Sequence, residues 1–268
     1  MKPLAIIPTF MSGPQDFALV TTALTSLAAT AGDDVDVMVV DDHSPDRGMV
    51  EGLRELVDQL SFELLEKPEN TGFSRTVNLG LIRAQHEGRS AILVNADIEF
   101  LAPGWVKLME DCVDRDGRPA AVVGARLIYP NGLIQHGGIY FSLLHRCFEH
   151  IHKFAPPNLP EALTKKQLPV TGALQFIRRD TLTEIGVYDE GFRLGWEDVD
   201  YCLRVWKAGY GCVYEPAIMA VHHESVFRGR GSEKVNRWTA ESWSYFCQKW
   251  AHQSFSEFIP SLVKAQPV

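Results

Sequence analysis

The stretch that decides the fold is "VDVMVVDD", Val35 to Asp42, in which a largely apolar run ends in two carboxylates. Such a run is typical of a strand that is buried on both faces of a parallel sheet. Similar runs occur before it in "LAIIP" (Leu4 to Pro8) and after it in "AILVNAD" (Ala91 to Asp97), and "FELLEK" (Phe62 to Lys67) is predicted as a further strand between them. The first part of the chain therefore predicts four strands of one sheet.

Helical segments separate these strands. Ser12 is the predicted cap of the first helix, which has Pro14 in its first turn and reaches about Ala31. The next two helices are predicted from Ser44-Pro45 to Leu60 and from Ser74 to His86. Repeated strand–helix units imply parallel strands, and such sheets bind ligands beyond the carboxyl ends of their strands. The polar residues at those ends are Thr9, Asp41, Asp42, Asn95 and Asp97.

The second half of the chain is less regular. Strands are predicted on both sides of the Pro130-Asn131-Gly132 turn, in "PVTGALQFIRR", and as short pieces around Pro216. The predicted helices are Pro103 to Cys112, one from Asp180, one from about Val199 to Ala208, and a tail from Glu233 to Val263. A polar loop is predicted from His145 to Lys166. The fold class is α/β, a mostly parallel central sheet flanked by helices, with a C-terminal helical appendage. We expect one domain over residues 1–230, with halves of about 1–100 and 101–230, and an extension over 231–268.

Composition excludes several classes of protein. The chain has 268 residues, 46% of them hydrophobic, and a net charge of -8, which argues against a general nucleic-acid binder. No pair among the five cysteines has zinc-type spacing, so reduced thiols are expected. The first apolar run is too short for a signal peptide, and no stretch approaches a transmembrane length. We expect a cytoplasmic protein, with peripheral contact at the inner face of the membrane as an alternative.

Two segments are candidates for binding a nucleotide. A carboxylate at Asp41 only accepts hydrogen bonds, so it suits a nucleobase imide or a ribose hydroxyl, and helix capping is the alternative. In "NTGFSRTVNLG", Gly72 lets the backbone approach a ligand, and Ser74 is a candidate helix cap. Arg75 in the first turn opposes the helix dipole, which suggests an anion there; an ordinary surface arginine is the alternative.

A metal site is the second candidate. Asp97 is a hard oxygen ligand where a divalent cation would bridge protein and diphosphate, and Asn95 points to the same side. Turn chemistry at a strand end explains both residues equally well. His222 follows a later strand and would favour Mn²⁺ over Mg²⁺ if it completed this site, although a lone histidine is more often structural.

The third candidate is the acidic turn in "GWEDVD", which opens a helix. Carboxylates near a helix N-terminus are stabilised by the dipole, so capping explains one of them. Capping does not explain three carboxylates beside Trp196. Glu197 and Asp198 are therefore candidates for chemistry, whereas Asp200 points to another face and is placed to pair with Arg204 one turn on.

These pieces in this order resemble the inverting nucleotide-sugar glycosyltransferases of family 2, which have the GT-A fold. The resemblance covers roughly Pro3 to Phe227 and is strongest at the Gly-Trp-Glu-Asp-Val-Asp helix opening. Its other marks are Ile7-Pro8-Thr9, "VVDDHSPD", "NTGFSRTVNLG", "LVNADIE", "NGLIQHGG", "TGALQFIRRD" and "VHHES". The motifs "NGLIQHGG" and "WEDVDYCLR" are similar to those of bacterial rhamnosyltransferase- and galactofuranosyltransferase-like members.

The resemblance implies a role for each candidate. Asp198 would be the catalytic base, with Trp196 and Glu197 as the acceptor-side wall, and Asp97 and His222 would hold Mn²⁺ or Mg²⁺. The residues implied in nucleotide binding are Pro8, Thr9, Asp41, Arg75, Asn78 and Asn95. Asn95 departs from the Asp-x-Asp pattern of the family, which implies weaker metal affinity rather than inactivity.

The implied activity is transfer of a sugar from a UDP- or dTDP-linked donor to a hydroxyl of a glycan or lipid-linked acceptor in cell-surface polysaccharide synthesis. The alternative is an inactive scaffold that binds nucleotide or glycan. A nucleotidyltransferase would need basic residues straight after the first strand, and "PTFMSGPQD" has none. A glycoside hydrolase needs two opposed carboxylates, and adjacent Glu197 and Asp198 point apart.

Two further features concern partners. The aromatic tail contains Trp238, Trp243, Tyr245, Phe246, Trp250, Phe255 and Phe258. Core or homodimer packing is the expected role of these side chains, with shallow membrane contact as the alternative. The three histidines His145, His150 and His152 of the polar loop are expected to belong to a mobile acceptor-side lid rather than a metal site.

Overall fold

A computed structural model describes residues 1–223, 233–251 and 262, with the backbone alone at Lys234 and Val235. Its strands are β1 (Leu4–Thr9), β2 (Asp36–Asp41), β3 (Glu63–Glu66), β4 (Ala91–Val94), β5 (Ile98–Phe100), β6 (Val122–Ile128), β7 (Ile134–His136), β8 (Ile139–Ser142), β9 (Cys147–His150), β10 (Lys166–Gln167), β11 (Leu174–Ile177) and β12 (Cys212–His222). Its α-helices are α1 (Pro14–Ala31), α2 (Arg47–Gln59), α3 (Phe73–His86), α4 (Trp105–Glu110), α5 (Arg179–Ile185), α6 (Glu197–Lys207) and α7 (Glu233–Ala251).

The parallel half of the sheet is confirmed. Its strands lie in the order β4-β1-β2-β3, and all three pairings are parallel. Alternate residues of β1 point to opposite faces: Ile7 packs with α1, α2 and α4, and Ile6 packs with α3, α5 and α6. Helices therefore cover both faces, and the polar strand ends stay free to form a site. Helix α3 approaches β1 so closely that a Cβ on Gly80 would lie 2.5 Å from Ile6 Cγ1.

The second half makes the sheet mixed. Strand β11 is antiparallel to both β4 and β6, and β12 is parallel to β6, so that the sheet runs on through β11, β6, β12 and β10. The short strands predicted around Pro216 are one strand, β12, with an irregularity between Glu215 and Met219. The predicted polar loop is wrong in part, since β9 lies within it and pairs with β8 as a separate hairpin.

Two predicted helix caps are also wrong. The N-cap of α1 is Gly13 rather than Ser12, whose hydroxyl instead donates to Asp16. The N-cap of α3 is Gly72 rather than Ser74. Gly72 has φ 91, a conformation that glycine adopts without steric cost, and the buried Ser74 lies inside the first turn.

The C-terminal helix packs onto the rest of the chain. Phe246 and Trp250 of α7 join a hydrophobic cluster with Val199 and Leu203 of α6 and with Phe148 of β9. Phe255 and Phe258 of the predicted tail lie outside the described residues. No helix within the described ranges has both the length and the hydropathy to cross a membrane. These contacts place α7 next to the turn that opens α6.

Candidate active site

The ends of β1 and β2 hold a buried carboxylate. Asp41 accepts hydrogen bonds from Thr9 Oγ1 at 3.1 Å, from the Ser44 amide at 2.9 Å and from Ser44 Oγ at 2.5 Å. A carboxylate has about four acceptor positions, so these three bonds fix the group and leave one position for a further donor. Pro8 and Thr9 lie beside it, in register with Val40 and Asp41.

The adjacent carboxylate, Asp42, orders the loop before α3. It forms a buried ion pair with Lys67 and accepts hydrogen bonds from the amides of Thr71 and Gly72 at 3.0 and 2.9 Å. Lys67 also donates to Thr76 Oγ1 at 2.8 Å. Lys67 directly follows β3, and no pattern in the sequence indicates that its side chain is buried. The pair fixes the backbone at the N-terminus of α3.

Two predicted residues of α3 have partners within the chain. The half-exposed Arg75 lies 3.5 Å from Glu190. Asn78 is buried, donates to the Tyr188 carbonyl at 2.9 Å and accepts from the Tyr188 amide at 3.0 Å. The amide of Asn78 therefore ties α3 to the segment before α6, while the guanidinium of Arg75 remains accessible to a ligand.

Asp97 and His222 come together as a pair. Asp97 follows β4, and β5 then pairs with β12 so that Ile98 is opposite His222. This register brings His222 Nε2 to 3.1 Å from Asp97 Oδ1, and both side chains are buried. On its other side, His222 Nδ1 lies 2.6 Å from Gln135 Oε1.

The ligand atoms of Asp97 and His222 are of the kind that binds a divalent cation together with a diphosphate. Within residues 1–223, 233–251 and 262, no group of three His, Cys, Asp or Glu side chains is placed to enclose a metal. One carboxylate and one imidazole suit Mn²⁺ or Mg²⁺ whose other ligands are phosphate oxygens and water. The Oδ1 atom of Asn95 is buried and has no hydrogen-bond partner in the described structure, so it too suits a ligand at this position.

The acidic turn places Asp198 at the start of α6. Trp196 is the N-cap and has φ 74, a left-handed conformation that is strained for a bulky residue. Asp198 Oδ2 accepts from the Gly172 amide at 3.0 Å, and Oδ1 accepts from the Val199 amide at 2.8 Å. A side chain at Gly172 would contact Asp198 Cβ at 3.3 Å. Two backbone amides therefore orient this carboxylate.

The other acidic residues of the turn differ in their surroundings. Glu197 is buried and faces the same cleft as Asp198. Asp200 faces away, as predicted, and bonds Arg204 at 3.0 Å. It also contacts Lys249 at 2.7 Å and Trp250 Nε1 at 3.0 Å, both on α7. Asp200 is thus the buried anchor of the C-terminal helix.

One cleft of about 190 Å³ lies between His222 and the acidic turn. Four predicted residues line it: Trp196, Glu197, Asp198 and His222. The predicted nucleotide residues Pro8, Thr9, Asp41, Arg75 and Asn78 do not line it and lie along the neighbouring ends of β1, β2 and α3. Asn95 and Asp97, which follow β4, do not line it either. Lining residues that the sequence reasoning did not assign to a site include Gln135, Thr171 and Thr239. Gln135 belongs to the motif "NGLIQHGG", whereas no motif in the sequence contains Thr239.

His150, which is predicted to belong to a mobile lid, lines the cleft. It belongs to β9, and its Nδ1 lies 3.1 Å from Nδ1 of His136, which is fully buried. His136 Nε2 accepts from the Thr171 amide at 3.4 Å. A ring that accepts at Nε2 carries its proton on Nδ1, so His136 donates to His150. The predicted lid is therefore tied to the sheet at this point.

His136 predicts a pH-dependent stability. Burial lowers the pKa of His136 well below its usual value, and nearby His150 and His222 lower it further. As the pH falls through about 6.5, the unfolded chain binds a proton that the folded chain does not, and this costs up to about 1.4 kcal/mol of stability per pH unit. We expect the free energy of unfolding, measured by urea titration between pH 7.5 and 5.5, to fall less steeply in His136→Gln. The exposed His86→Gln is the control, and equal slopes in both variants would contradict the prediction.

The chain is similar to known proteins over most of its length. Residues 4–185 match the family model described as Glycosyl transferase family 2. The uncharacterized protein y4gI of Sinorhizobium fredii is 33% identical over 182 residues, which are 65% of this chain and 20% of that protein. The O-antigen biosynthesis protein RfbC of Myxococcus xanthus is 28% identical over 54% of this chain and 12% of its own length. The chain thus spans a fifth or less of these two relatives.

A third relative is matched over more of its length. The N-acetylglucosaminyl-diphospho-decaprenol L-rhamnosyltransferase of Mycobacterium tuberculosis is 26% identical over 207 residues, 69% of this chain and 67% of that protein. Among solved structures, GalNAc-T7 with UDP, GalNAc and Mn²⁺ aligns with a TM-score of 0.71 at 15% identity, over 97% of this chain and 49% of that one. The mannosyltransferase PcManGT of Pyrobaculum calidifontis, in complex with GDP-Man and Mn²⁺, has a TM-score of 0.61 at 16% identity, over 99% and 74%.

These likenesses agree with the geometry. The structural neighbours are glycosyltransferases of the GT-A fold, so the predicted fold class is confirmed. The family model covers the strands whose ends carry Asp41 and Asp97, together with the strand β11 that precedes α5. The chain belongs to glycosyl transferase family 2.

Proposed function

We propose that this glycosyltransferase moves a sugar from a UDP- or dTDP-linked donor to a hydroxyl of a glycan or lipid-linked acceptor, with inversion at the anomeric carbon, in cell-surface polysaccharide synthesis. One observation carries the proposal: Asp198, oriented by two backbone amides, shares a single cleft with His222, whose Nε2 lies 3.1 Å from Asp97 Oδ1. This arrangement supports a base and a site for leaving-group charge at one small space.

The acceptor side of the mechanism follows from the acidic turn. Asp198 removes the proton from the acceptor hydroxyl as that oxygen attacks the anomeric carbon from the side opposite the diphosphate. The Gly172 and Val199 amides hold the carboxylate in one orientation, which favours a single direct displacement. Trp196 and Glu197 form the wall against which the acceptor is placed.

The donor side uses the strand ends. Asp41, held by Thr9 and Ser44, accepts a donor group of the base, and the half-exposed Arg75 is the cation proposed to contact the diphosphate. Asn78 contributes by fixing α3, and Asn95 offers its buried amide oxygen beside Asp97. Asp97 and His222 would hold the divalent cation, which when bound stabilises negative charge on the departing diphosphate.

The relatives support the classes of donor and acceptor. The mycobacterial relative is named for rhamnosyl transfer to a lipid diphosphate-linked sugar, and another relative is named for O-antigen biosynthesis. Both structural neighbours hold a nucleotide or nucleotide sugar with Mn²⁺. The alternative of an inactive nucleotide-binding scaffold is supported only by Asn95, which lacks the charge of the aspartate in the usual pattern.

Nucleotide titration tests the proposal. Calorimetry with UDP, dTDP and GDP, each with and without Mn²⁺, should show that Mn²⁺ raises the affinity for one nucleotide at least about tenfold, equivalent to about 1.4 kcal/mol. The corresponding sugar nucleotides are then screened for hydrolysis and transfer. If the folded protein binds none of the three nucleotides, the proposal is wrong. Nucleotide binding without turnover of any donor and acceptor would favour the inactive scaffold.

A further inference from the structure

Gln135 makes a contact that the proposed mechanism does not use. Its side chain is 2% exposed, and its Oε1 atom lies 2.6 Å from His222 Nδ1. An amide oxygen only accepts hydrogen bonds, so the proton between these two atoms belongs to His222 Nδ1. In the neutral imidazole the other nitrogen, Nε2, then presents a lone pair.

That lone pair faces another acceptor. His222 Nε2 lies 3.1 Å from Asp97 Oδ1. Two acceptor atoms at this distance make no hydrogen bond with each other, but they are spaced as two ligands of one cation are. Metal-bound histidines usually donate their other ring N–H to an oxygen acceptor, and this bond fixes both the tautomer and the ring orientation.

We propose that Gln135 is a positioning residue that locks His222 in the Nδ1–H tautomer and so aims Nε2, together with Asp97, at the divalent cation. The inference rests on the proposed function, because it deepens the role of the metal site. Gln135 acts only through His222.

The strand that carries Gln135 is well placed for this task. Strand β7 pairs with β6, which in turn pairs with β12, the strand that ends at His222. The next residue, His136, is fully buried and bonded to His150 and to the Thr171 amide. Gln135 therefore starts from a fixed backbone and has little freedom to move away from His222.

The tautomer itself is the first readout. Long-range ¹⁵N–¹H spectra of histidine-labelled, metal-free protein, with His222 assigned by the signals lost in His222→Gln, should show the Nδ1–H form. Gln135→Met keeps the side-chain length but removes the acceptor at Nδ1, so the Nε2–H form of His222, which donates to Asp97, should appear. Gln135→Glu keeps an acceptor oxygen and should keep the Nδ1–H form. An Nε2–H form in the unmodified protein overturns the proposal.

Metal affinity is the second readout. Mn²⁺ is titrated into protein saturated with UDP, and separately with dTDP and with GDP. Loss of the acceptor should weaken Mn²⁺ binding about 10- to 100-fold in Gln135→Met, as is typical when the partner of a ligating histidine is removed. Gln135→Glu should bind at least as tightly as the unmodified protein. Equal affinity in Gln135→Met and the unmodified protein overturns the proposal.

A matched variant controls for lost stability. Gln85 on α3 donates one hydrogen bond to the Leu182 carbonyl at 2.9 Å and lies outside the cleft. Gln85→Met should leave both readouts unchanged. If the unmodified protein binds no Mn²⁺ with any of the nucleotides, the proposed function fails, and the tautomer spectra still decide whether Gln135 orients His222. If Gln135→Met does not fold, the contrast between Gln135→Glu and Gln135→Ala provides the test.

Discussion

Asp198→Asn is expected to lower kcat for sugar transfer by about 10²- to 10⁴-fold, the range that general-base catalysis supplies. In the unmodified protein the Gly172 amide donates to Asp198 at 3.0 Å. The asparagine keeps the size of the side chain and one oxygen that accepts this hydrogen bond. It cannot take a proton from the acceptor hydroxyl. Nucleotide affinity should therefore stay unchanged while turnover is lost, which a calorimetric titration and a transfer assay on the same sample will separate.

The control for this variant is Asp180→Asn, an exposed aspartate in the first turn of α5. It makes the same chemical change at another helix N-terminus and should leave kcat unaltered. A folded Asp198→Asn protein with near-normal kcat would show that another group removes the proton. Buried Glu197, in the same cleft, would then be the first candidate.

Asp97→Ala is expected to abolish the Mn²⁺-dependent part of nucleotide binding and to lower kcat/KM about 10²- to 10³-fold, the usual effect of removing one preorganised electrostatic contact to developing charge. His222 Nε2 lies 3.1 Å from Asp97 Oδ1, and without this carboxylate the imidazole would be the remaining ligand of the pair. Calorimetry with and without Mn²⁺ measures the first effect, and initial rates measure the second.

Asn95→Asp is the informative counterpart of that variant. It restores the missing charge two residues from Asp97, where Asn95 Oδ1 is buried without a hydrogen-bond partner in the described part of the chain. Mn²⁺ affinity should rise in Asn95→Asp and fall in Asp97→Ala. If neither change alters Mn²⁺ binding, the metal is held elsewhere and the assignment of Asp97 is wrong.

The sequence was informative where local patterns decide the structure. Continuous apolar runs identified β1, β2 and β4, because strands covered on both faces are apolar over most of their length. Strand β3, with the sequence Glu-Leu-Leu-Glu, lies at the edge of the sheet and is only partly buried. The pairing of Asp200 with Arg204 was predictable from helical spacing and is present at 3.0 Å. The Gly-Trp-Glu-Asp opening marked the start of α6 within a few residues.

What the sequence did not reveal depends on contacts between distant residues. Gln135 and His222 are 87 residues apart, and Asp200 and Trp250 are 50 apart, so no spacing rule connects them. The choice of Gly72 over Ser74 as a cap depends on a backbone angle that the tertiary contacts of the loop impose. The antiparallel insertion of β11 between β4 and β6 is likewise a matter of topology rather than of local pattern.

The packing of α7 has a consequence for synthesis on the ribosome. Trp196 rests against Trp243 with ring centroids 4.8 Å apart, and Asp200 is held by Lys249 and Trp250. At about 5–20 residues per second, the strands that carry Asp41 and Asp97 emerge several seconds before these partners do. The turn that opens α6 is therefore the last part of the cleft to gain its full packing.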